Sequence, residues 1–306
     1  MLNSDLIDFP LGVVAHDAGA ANHIIAWLKG YDCENIHACV AGPAARLWGQ
    51  SFYAGAQLNV TLSEAISQSN MLLTGTGWGS ALEHDARKLA RSAGLKSVAV
   101  IDHWANYRER FIRYGEEVLP DEIWVTDEYA KNLAEREFPN LKVVRMPNVY
   151  LDNQVQEVRE QEQEHAWLKH AGCNLLYVLE PIREAWGHGE QPGEFQALDF
   201  FMENLSLLQL DSDLSIRLRP HPSDSIGKYD QWLAAQKNIK ISLDESLSLA
   251  ESIAWSDVVV GCHTYAMVVA LAAGRRVMSS IPSWAPSCIL PQAGILKLAD
   301  LAHEAL

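Results

Sequence analysis

Arg217-Leu218-Arg219-Pro220-His221-Pro222-Ser223-Asp224 is the stretch on which the reading of this chain turns. The residues before it, Leu214-Ser215-Ile216, read as a short strand, and Ile226 to Gln236 after it read as a helix. Proline has no N–H for a sheet ladder or a helix, so Pro220 and Pro222 interrupt both elements. Arg219 and His221 therefore fall on a stiff loop at the carboxyl end of a strand. In an open α/β sheet that edge is where ligands bind. A guanidinium fork beside an imidazole suits a phosphate or a carboxylate.

The same grammar of strand, loop and helix runs outward in both directions. Upstream, Leu11 to Ala15, Ile36 to Val40, Leu58 to Val60, Met71 to Thr74, Ser97 to Ile101, Glu122 to Thr126 and Lys142 to Arg145 read as strands. Helices are expected over 23–29, 44–51, 63–69 (with Ser63 as N-cap), 82–93 and 128–138. Downstream, strands are expected at 174–179, 215–218, 238–241, 257–260 and 276–279, and helices at 194–208, 246–255, 266–273 and 296–306. Asp152 to His170, rich in Gln and Glu, reads as a linker running into a solvated helix. This alternation predicts an α/β chain with parallel sheets covered on both faces. The expected architecture is two Rossmann-like domains, 1–150 and 171–306, joined through 151–170 and facing each other across a cleft.

Composition agrees with that division. The 306 residues suit two domains of roughly 150 residues each. The net charge of −15, from 39 acidic and 24 basic residues, argues against a nucleic-acid polymer as partner and leaves room for a local basic pocket. Five cysteines (Cys33, Cys39, Cys173, Cys262 and Cys288) form no C-x-x-C pair and read as reduced thiols of a cytoplasmic protein. The sequence shows no signal peptide and no transmembrane segment. No basic amphipathic helix supports strong membrane attachment, which leaves peripheral membrane contact open.

Polar residues gather on the loops after strands. In the second half these are Glu180-Pro181-Ile182-Arg183, the Arg219–His221 loop, and Gly261-Cys262-His263-Thr264-Tyr265. The last precedes a helix, whose free N–H groups and dipole attract an anion; ordinary capping is the alternative. In the first half, His16-Asp17-Ala18-Gly19 ends the first strand. A carboxylate there can take a proton from a hydroxyl, hold a His that does, or merely cap the next helix. Gly75-Thr76-Gly77-Trp78-Gly79-Ser80 lets the backbone approach a ligand closely, but matches neither a Walker A loop nor GxGxxG. Asp102-His103-Trp104, with Asn106, Arg108 and Arg110 nearby, is the richest polar cluster of this half. Glu83 and His84 lie on the helix after the glycine loop, where a solvated face is the ordinary reading.

The Arg219-Pro220-His221-Pro222 loop, followed by Ser256-Asp257-Val258-Val259-Val260-Gly261, Thr264 and a small-residue helix, resembles the donor half of GT-B glycosyltransferases. The nearest likeness is to bacterial sialyltransferase-like and Kdo-transferase-like enzymes of surface polysaccharides. The fold-related, non-hydrolysing UDP-N-acetylglucosamine 2-epimerases carry a comparable His-Pro loop. The likeness is motif-specific over about residues 215 to 275. The epimerases' opening Gly-Thr-Arg-Pro-Glu is absent, and Asp17-Ala18-Gly19 only partly echoes the acidic pair of the sialyltransferases.

The resemblance implies an N-terminal acceptor domain and a C-terminal nucleotide-sugar-binding domain. Arg219, His221 and Pro222 would face the donor phosphate, His263 and Thr264 would hold phosphate or carboxylate, and Glu180 and Arg183 would border the nucleotide. Asp17, Asp102 or His103 would supply the base, with His16, Gly19, Gly77 and Trp78 touching acceptor or sugar. Without a D-x-D of the kind that metal-dependent GT-A enzymes use to hold a nucleotide diphosphate through a cation, and without His/Cys ligand spacing, the implied reaction is a metal-independent, inverting transfer that needs no cofactor. The donor reading extends to a CMP-activated acidic sugar, with Arg183, Arg108 and Arg110 for its carboxylate. The acceptor would be a glycan or a lipid-linked glycan. A nucleotide-sugar epimerase or hydrolase, or a non-catalytic binding protein, are the alternatives.

Overall fold

In the computed structural model, the described residues are 6–31, 33–52, 60–164, 172–183, 185–189, 191–210, 213–237 and 239–305. The chain divides into two compact units, Met1–Tyr150 and Leu151–Leu306.

The first unit runs β1 (Leu11–Ala15), α1 (Ala18–Leu28), β2 (Ile36–Val40), α2 (Gly42–Ser51), α3 (Leu62–Ser67), β3 (Met71–Thr74), α4 (Leu82–Ala93) and β4 (Lys96–Val100). A small hairpin of β5 (Ile112–Arg113) and β6 (Glu116–Glu117) precedes β7 (Glu122–Val125), α5 (Glu128–Glu137) and β8 (Lys142–Arg145). Six strands form one parallel sheet in the order β2-β1-β3-β4-β7-β8. β1, β3 and β7 are buried at every position, as expected for central parallel strands covered on both faces.

The second unit follows α6 (Val149–Glu164) with β9 (Cys173–Val178), α7 (Gly193–Glu203), β10 (Leu214–Arg219), α8 (Asp230–Ala235), β11 (Lys240–Leu243) and α9 (Leu249–Trp255). It closes with β12 (Val258–Gly261), α10 (Tyr265–Ala272), β13 (Arg276–Ser279), β14 (Ile295–Lys297) and α11 (Leu298–Glu304). Its sheet is also all parallel, in the order β11-β10-β9-β12-β13-β14. Both sheets are Rossmann-like, and both reverse direction beside their first strand: between β1 and β3 in one, and between β9 and β12 in the other. Crevices for ligands open at the carboxyl ends of such strand pairs.

Several boundaries differ from expectation for local reasons. Helix α1 starts at Ala18, well before His23, because Ala18, Ala20 and Ala21 are strong helix formers. The N-cap of α3 is Thr61 and not Ser63: Thr61 Oγ1 accepts the Glu64 N–H at 3.3 Å while the Glu64 carboxylate accepts the Thr61 N–H at 2.8 Å. Likewise α9 begins after Ser248, whose hydroxyl accepts the Glu251 N–H at 3.1 Å. Helix α8 is shorter than the expected 226–236 stretch, because turns centred on Gly227 (φ +79°) hold the chain until Tyr229. The helix expected over 194–208 ends at Glu203 and continues as a 3₁₀ turn, Leu205–Leu208. β14 occupies the start of the expected terminal helix. The β5–β6 hairpin has no counterpart in the sequence reading; Tyr114 (φ 53°) and Gly115 (φ 77°) give it the left-handed pair a two-residue turn requires. Most of the strand expected at 58–60, and residues 165–170 of the linker, lie outside the described residues. Among the described residues no helix is long and apolar enough to cross a membrane.

Candidate functional site

At the switch point of the first sheet, the loop after β1 meets the loop after β3. His16 Nδ1 lies 2.6 Å from Asp17 Oδ1. Asp17 Oδ2 accepts the Trp78 N–H at 2.7 Å and the Gly79 N–H at 3.3 Å. Burial alone would raise the Asp17 carboxyl, but the His16 ring and these two amides outweigh it and hold the group below its ordinary value. An ionised carboxylate only accepts hydrogen bonds, so His16 donates through Nδ1, and in the neutral form of the ring the lone pair lies on Nε2. That ring lies against Gly42 (φ +52°), where a Cβ would come within 2.6 Å of Nε2. Gly77 is required for a similar reason, since a side chain there would collide with the Asp17 carboxylate. Trp78 is about half exposed, with the Arg113 guanidinium 5.3 Å from its ring centre.

One residue of this site was read as a solvated helix face and is not. Glu83, near the start of α4, is 2% exposed. Its Oε1 accepts the His16 N–H at 3.0 Å and its Oε2 the Gly77 N–H at 2.9 Å, so one carboxylate ties the two loops together. Burial pushes its pKa up, against those two hydrogen bonds. Arg87, one turn on and also buried, donates to Gly75 O at 3.1 Å and Val118 O at 3.2 Å. The sequence signal was the Glu83–Arg87 spacing, an i,i+4 pair beside a glycine loop.

The Asp102 cluster is built for structure as much as for chemistry. Asp102 Oδ1 accepts from Arg110 Nη1 at 3.0 Å, and Arg110 also bonds Ala105 O at 3.1 Å and Thr76 Oγ1 at 3.3 Å. The Asp102 carboxylate fills the space a Cβ on Gly19 would need, which ties the loop after β4 to the first turn of α1. His103 is half-buried, its ring 5.5 Å from that of Trp104. Beneath lies His23, which burial lowers to about 4 despite the Asp102 charge.

In the second unit the switch point holds another carboxylate–imidazole pair. Glu180 Oε2 accepts the His263 N–H at 3.0 Å, and Glu180 Oε1 lies 3.1 Å from His263 Nε2. Among the described residues His263 Nδ1 is buried without a partner. Thr264 is the N-cap of α10 and its side chain makes no capping bond, so its hydroxyl can meet an anion at the positive end of the helix.

Arg219 is the last residue of β10, and much of its donor capacity is already engaged. Its Nη1 donates to Asp244 Oδ2 at 2.7 Å, Ser252 Oγ at 2.7 Å and Ser246 O at 3.2 Å. The Asp244 side chain is fully buried; burial would raise it, but Ser252, Arg219 and Ser246 keep it below its ordinary value. His221 is set differently. Its Nδ1 accepts the Ser223 N–H at 3.1 Å, so a neutral ring carries its proton on Nε2 and presents a donor. Pro222, beside it, is exposed. Arg183, in the left-handed region (φ 53°), borders a cavity of about 900 Å³ that reaches Ser223, Asp224 and Lys228.

No protein-family model matches this chain, and no curated protein matches it. Solved structures do. One is a UDP-GlcNAc 2-epimerase from Methanocaldococcus jannaschii, with a TM-score of 0.61 and 11% identity, covering 96% of this chain and 91% of that one. Another is the Neisseria meningitidis UDP-GlcNAc 2-epimerase bound to UDP-GlcNAc, with a TM-score of 0.55 and 13% identity, covering 88% of this chain and 81% of that one. At these identities the likeness shows the fold: two Rossmann-like units of the GT-B type.

Proposed function

We propose that this chain is a glycosyltransferase that uses a nucleotide-sugar donor. The observation that carries the reading is the opposite wiring of two histidines. His16 gives its Nδ1 proton to an ionised carboxylate and keeps Nε2 as an acceptor. His221 accepts at Nδ1 and keeps Nε2–H as a donor. The first arrangement suits a base and the second suits a group that meets negative charge.

In this mechanism His16 Nε2 takes the proton of the acceptor hydroxyl, oriented by Asp17. The hydroxyl oxygen bonds to the anomeric carbon on the face opposite the breaking bond to phosphate, so configuration inverts. The leaving phosphate's charge is met by His221 Nε2–H, the Thr264 hydroxyl and the positive end of the α10 dipole, without a metal ion or cofactor. Asp102 and His103 line the acceptor side, as do Gly19, Gly77 and Trp78. Residues 1–150 serve as acceptor domain and 171–306 as donor domain. Of the three cations read as holders of an acidic sugar, Arg108 and Arg110 are paired with carboxylates of their own unit, so neither is left for the carboxylate of a CMP-activated donor. A glycan or lipid-linked acceptor and a cytoplasmic site of action belong to the same proposal.

The test is a panel of UDP-, GDP- and CMP-sugars, with and without oligosaccharide acceptors, scored by release of the nucleotide. Release should depend on acceptor. His16→Gln and Asp17→Asn should lower turnover by about 10² to 10⁴ while donor binding persists, and His221→Ala should weaken both. A second reading, epimerase or hydrolase of a nucleotide sugar, draws support from the named activity of the solved structures above. Acceptor-independent release, or an epimerised sugar, would favour it. Failure of every nucleotide to bind would leave a binding protein of other purpose.

A further inference from the structure

The cavity of about 900 Å³ in the second unit lies between the loop after β9 and the loop after β10, against the start of α7. Among the described residues, four charged side chains border it: Arg183, Glu194, Asp224 and Lys228. They are not equally available. The Glu194 and Asp224 side chains are each 2% exposed. Glu194 accepts the Arg183 N–H at 2.6 Å and Lys228 Nζ at 2.6 Å. Asp224 accepts Lys228 Nζ at 2.6 Å, the His221 N–H at 3.0 Å and the Tyr229 hydroxyl at 3.1 Å. Every oxygen of both carboxylates thus already accepts from a donor of this unit.

Among the described charged residues that line the space, it is the two cations that keep unused N–H groups. Arg183 is exposed, and its guanidinium makes no hydrogen bond or ion pair among the described residues. Lys228 uses two of its three N–H groups on the carboxylates and has one left at the cavity it lines. The Trp186 indole N–H is buried without a partner among the described residues, and its ring walls the same space. A cavity whose described carboxylates are engaged and whose cations keep free N–H groups favours an anion.

We propose that this cavity is an anion subsite that takes the phosphate groups of the donor, with Arg183 and Lys228 as its cationic ligands. The proposal rests on the nucleotide-sugar reading of the same unit. It moves the principal phosphate cation from Arg219, engaged by Asp244, to a pair the sequence reading did not assemble. The buried pairing keeps Lys228 protonated: Asp224 and Glu194 raise its pKa against the pull of burial. Through Asp224, the same network bonds the backbone N–H of His221, so filling the cavity would act on the loop that presents His221 Nε2.

The test is calorimetric titration of the full chain with inorganic pyrophosphate, UDP and uridine. Pyrophosphate and UDP should bind and compete, uridine should bind more weakly, and Arg183→Gln should weaken the first two by about tenfold or more with the unliganded melting temperature unchanged. Lys228→Met should do the same; because it strips two buried carboxylates of their counter-ion it is read only if it melts cooperatively, and Arg183→Gln decides otherwise. If UDP binds wild type and Arg183→Gln equally, the subsite is refuted while nucleotide binding stands. If pyrophosphate binds through Arg183 but no nucleotide does, the subsite stands and the nucleotide-sugar reading fails. If neither binds, both are overturned.

Discussion

Each unit places a carboxylate–imidazole pair at the switch point of its sheet, and the two are wired in opposite senses. His16 meets Asp17 through Nδ1, the nitrogen nearer the backbone, and leaves Nε2 at the ring tip. His263 meets Glu180 through Nε2 and leaves its inner Nδ1 buried. The surroundings differ as well. Asp17 is held by loop amides and ringed by glycines, so small groups can approach it closely. Glu180 and His263 close on each other, side chain and backbone together, at the start of a helix. In the proposed reading the same two functional groups make a proton acceptor in one unit and a wall of an anion site in the other. Tautomer, not residue type, separates the roles.

The largest break in that comparison should come from Arg87→Met. Arg87 is buried, donates to three partners around Gly75, and lies 5.1 Å from the centre of the Phe111 ring. Burial lowers it to about 10, so it stays charged at neutral pH beside Glu83. Removing it takes a favourable charge away from Glu83 and leaves the buried Gly75 and Val118 carbonyls without that donor. The loss of stability should be roughly 2–4 kcal/mol by urea denaturation, as for other buried polar networks that lose a partner. If the units act separately, pyrophosphate binding to the second unit should survive wherever the variant remains folded. A loss below about 1 kcal/mol would mean that water replaces Arg87 at no penalty and that the glycine loop needs no anchor.

A smaller and more selective effect is the sign of pH dependence. Glu83 is raised from its ordinary 4.5 by burial, so the folded state binds that proton more tightly than the unfolded chain does. Its contribution is complete below 4.5 and is lost as pH rises through the higher folded value. Asp17 and Asp244 are lowered from 3.8, and their contributions are present above 3.8 and lost as pH falls through the lower folded values. Acidification from neutral pH should therefore improve wild type relative to Glu83→Gln. Below about pH 3.8 it should worsen wild type relative to Asp244→Asn. Parallel stability curves for the two variants would show that these carboxylates do not differ as their burial and partners imply.

Much of this architecture is legible in the chain. Period-free apolar runs such as Val98–Ile101, each followed by a polar loop, mark central parallel strands, and from them follow two Rossmann-like sheets. The loops carrying His16–Asp17, Glu180, His221 and His263 fall at strand ends for the same reason. Pairing across sequence was not legible. That Asp17 caps the Trp78 amide, that Glu83 bridges His16 and Gly77, and that Asp244 holds Arg219 all depend on strands far apart in sequence lying side by side. Lys228 was hidden in an expected helix; the turn at Gly227 is what lets its side chain reach back to Glu194. Local signals passed over are a different matter: Thr61-Leu62-Ser63-Glu64 spells its own capping box.

Arg108 sets the finest test. By sequence it stands beside Arg110 as a cation for an acidic sugar. In the structure Arg110 is buried on Asp102, whereas Arg108 lies at the surface, 2.7 Å from Glu137 and 2.8 Å from Glu117. Its charge is balanced twice by its own unit, and exposed pairs of this kind contribute little. Arg108→Ala should therefore leave donor affinity and turnover within about twofold of wild type, while Arg110→Ala, which unties Asp102 from Thr76, should not. Equal and large losses in both variants would return Arg108 to the site and with it the case for a carboxylate on the donor sugar. A loss confined to Arg110 would assign the cluster to holding the loop after β4 against α1, and leave recognition of negative charge to the second unit.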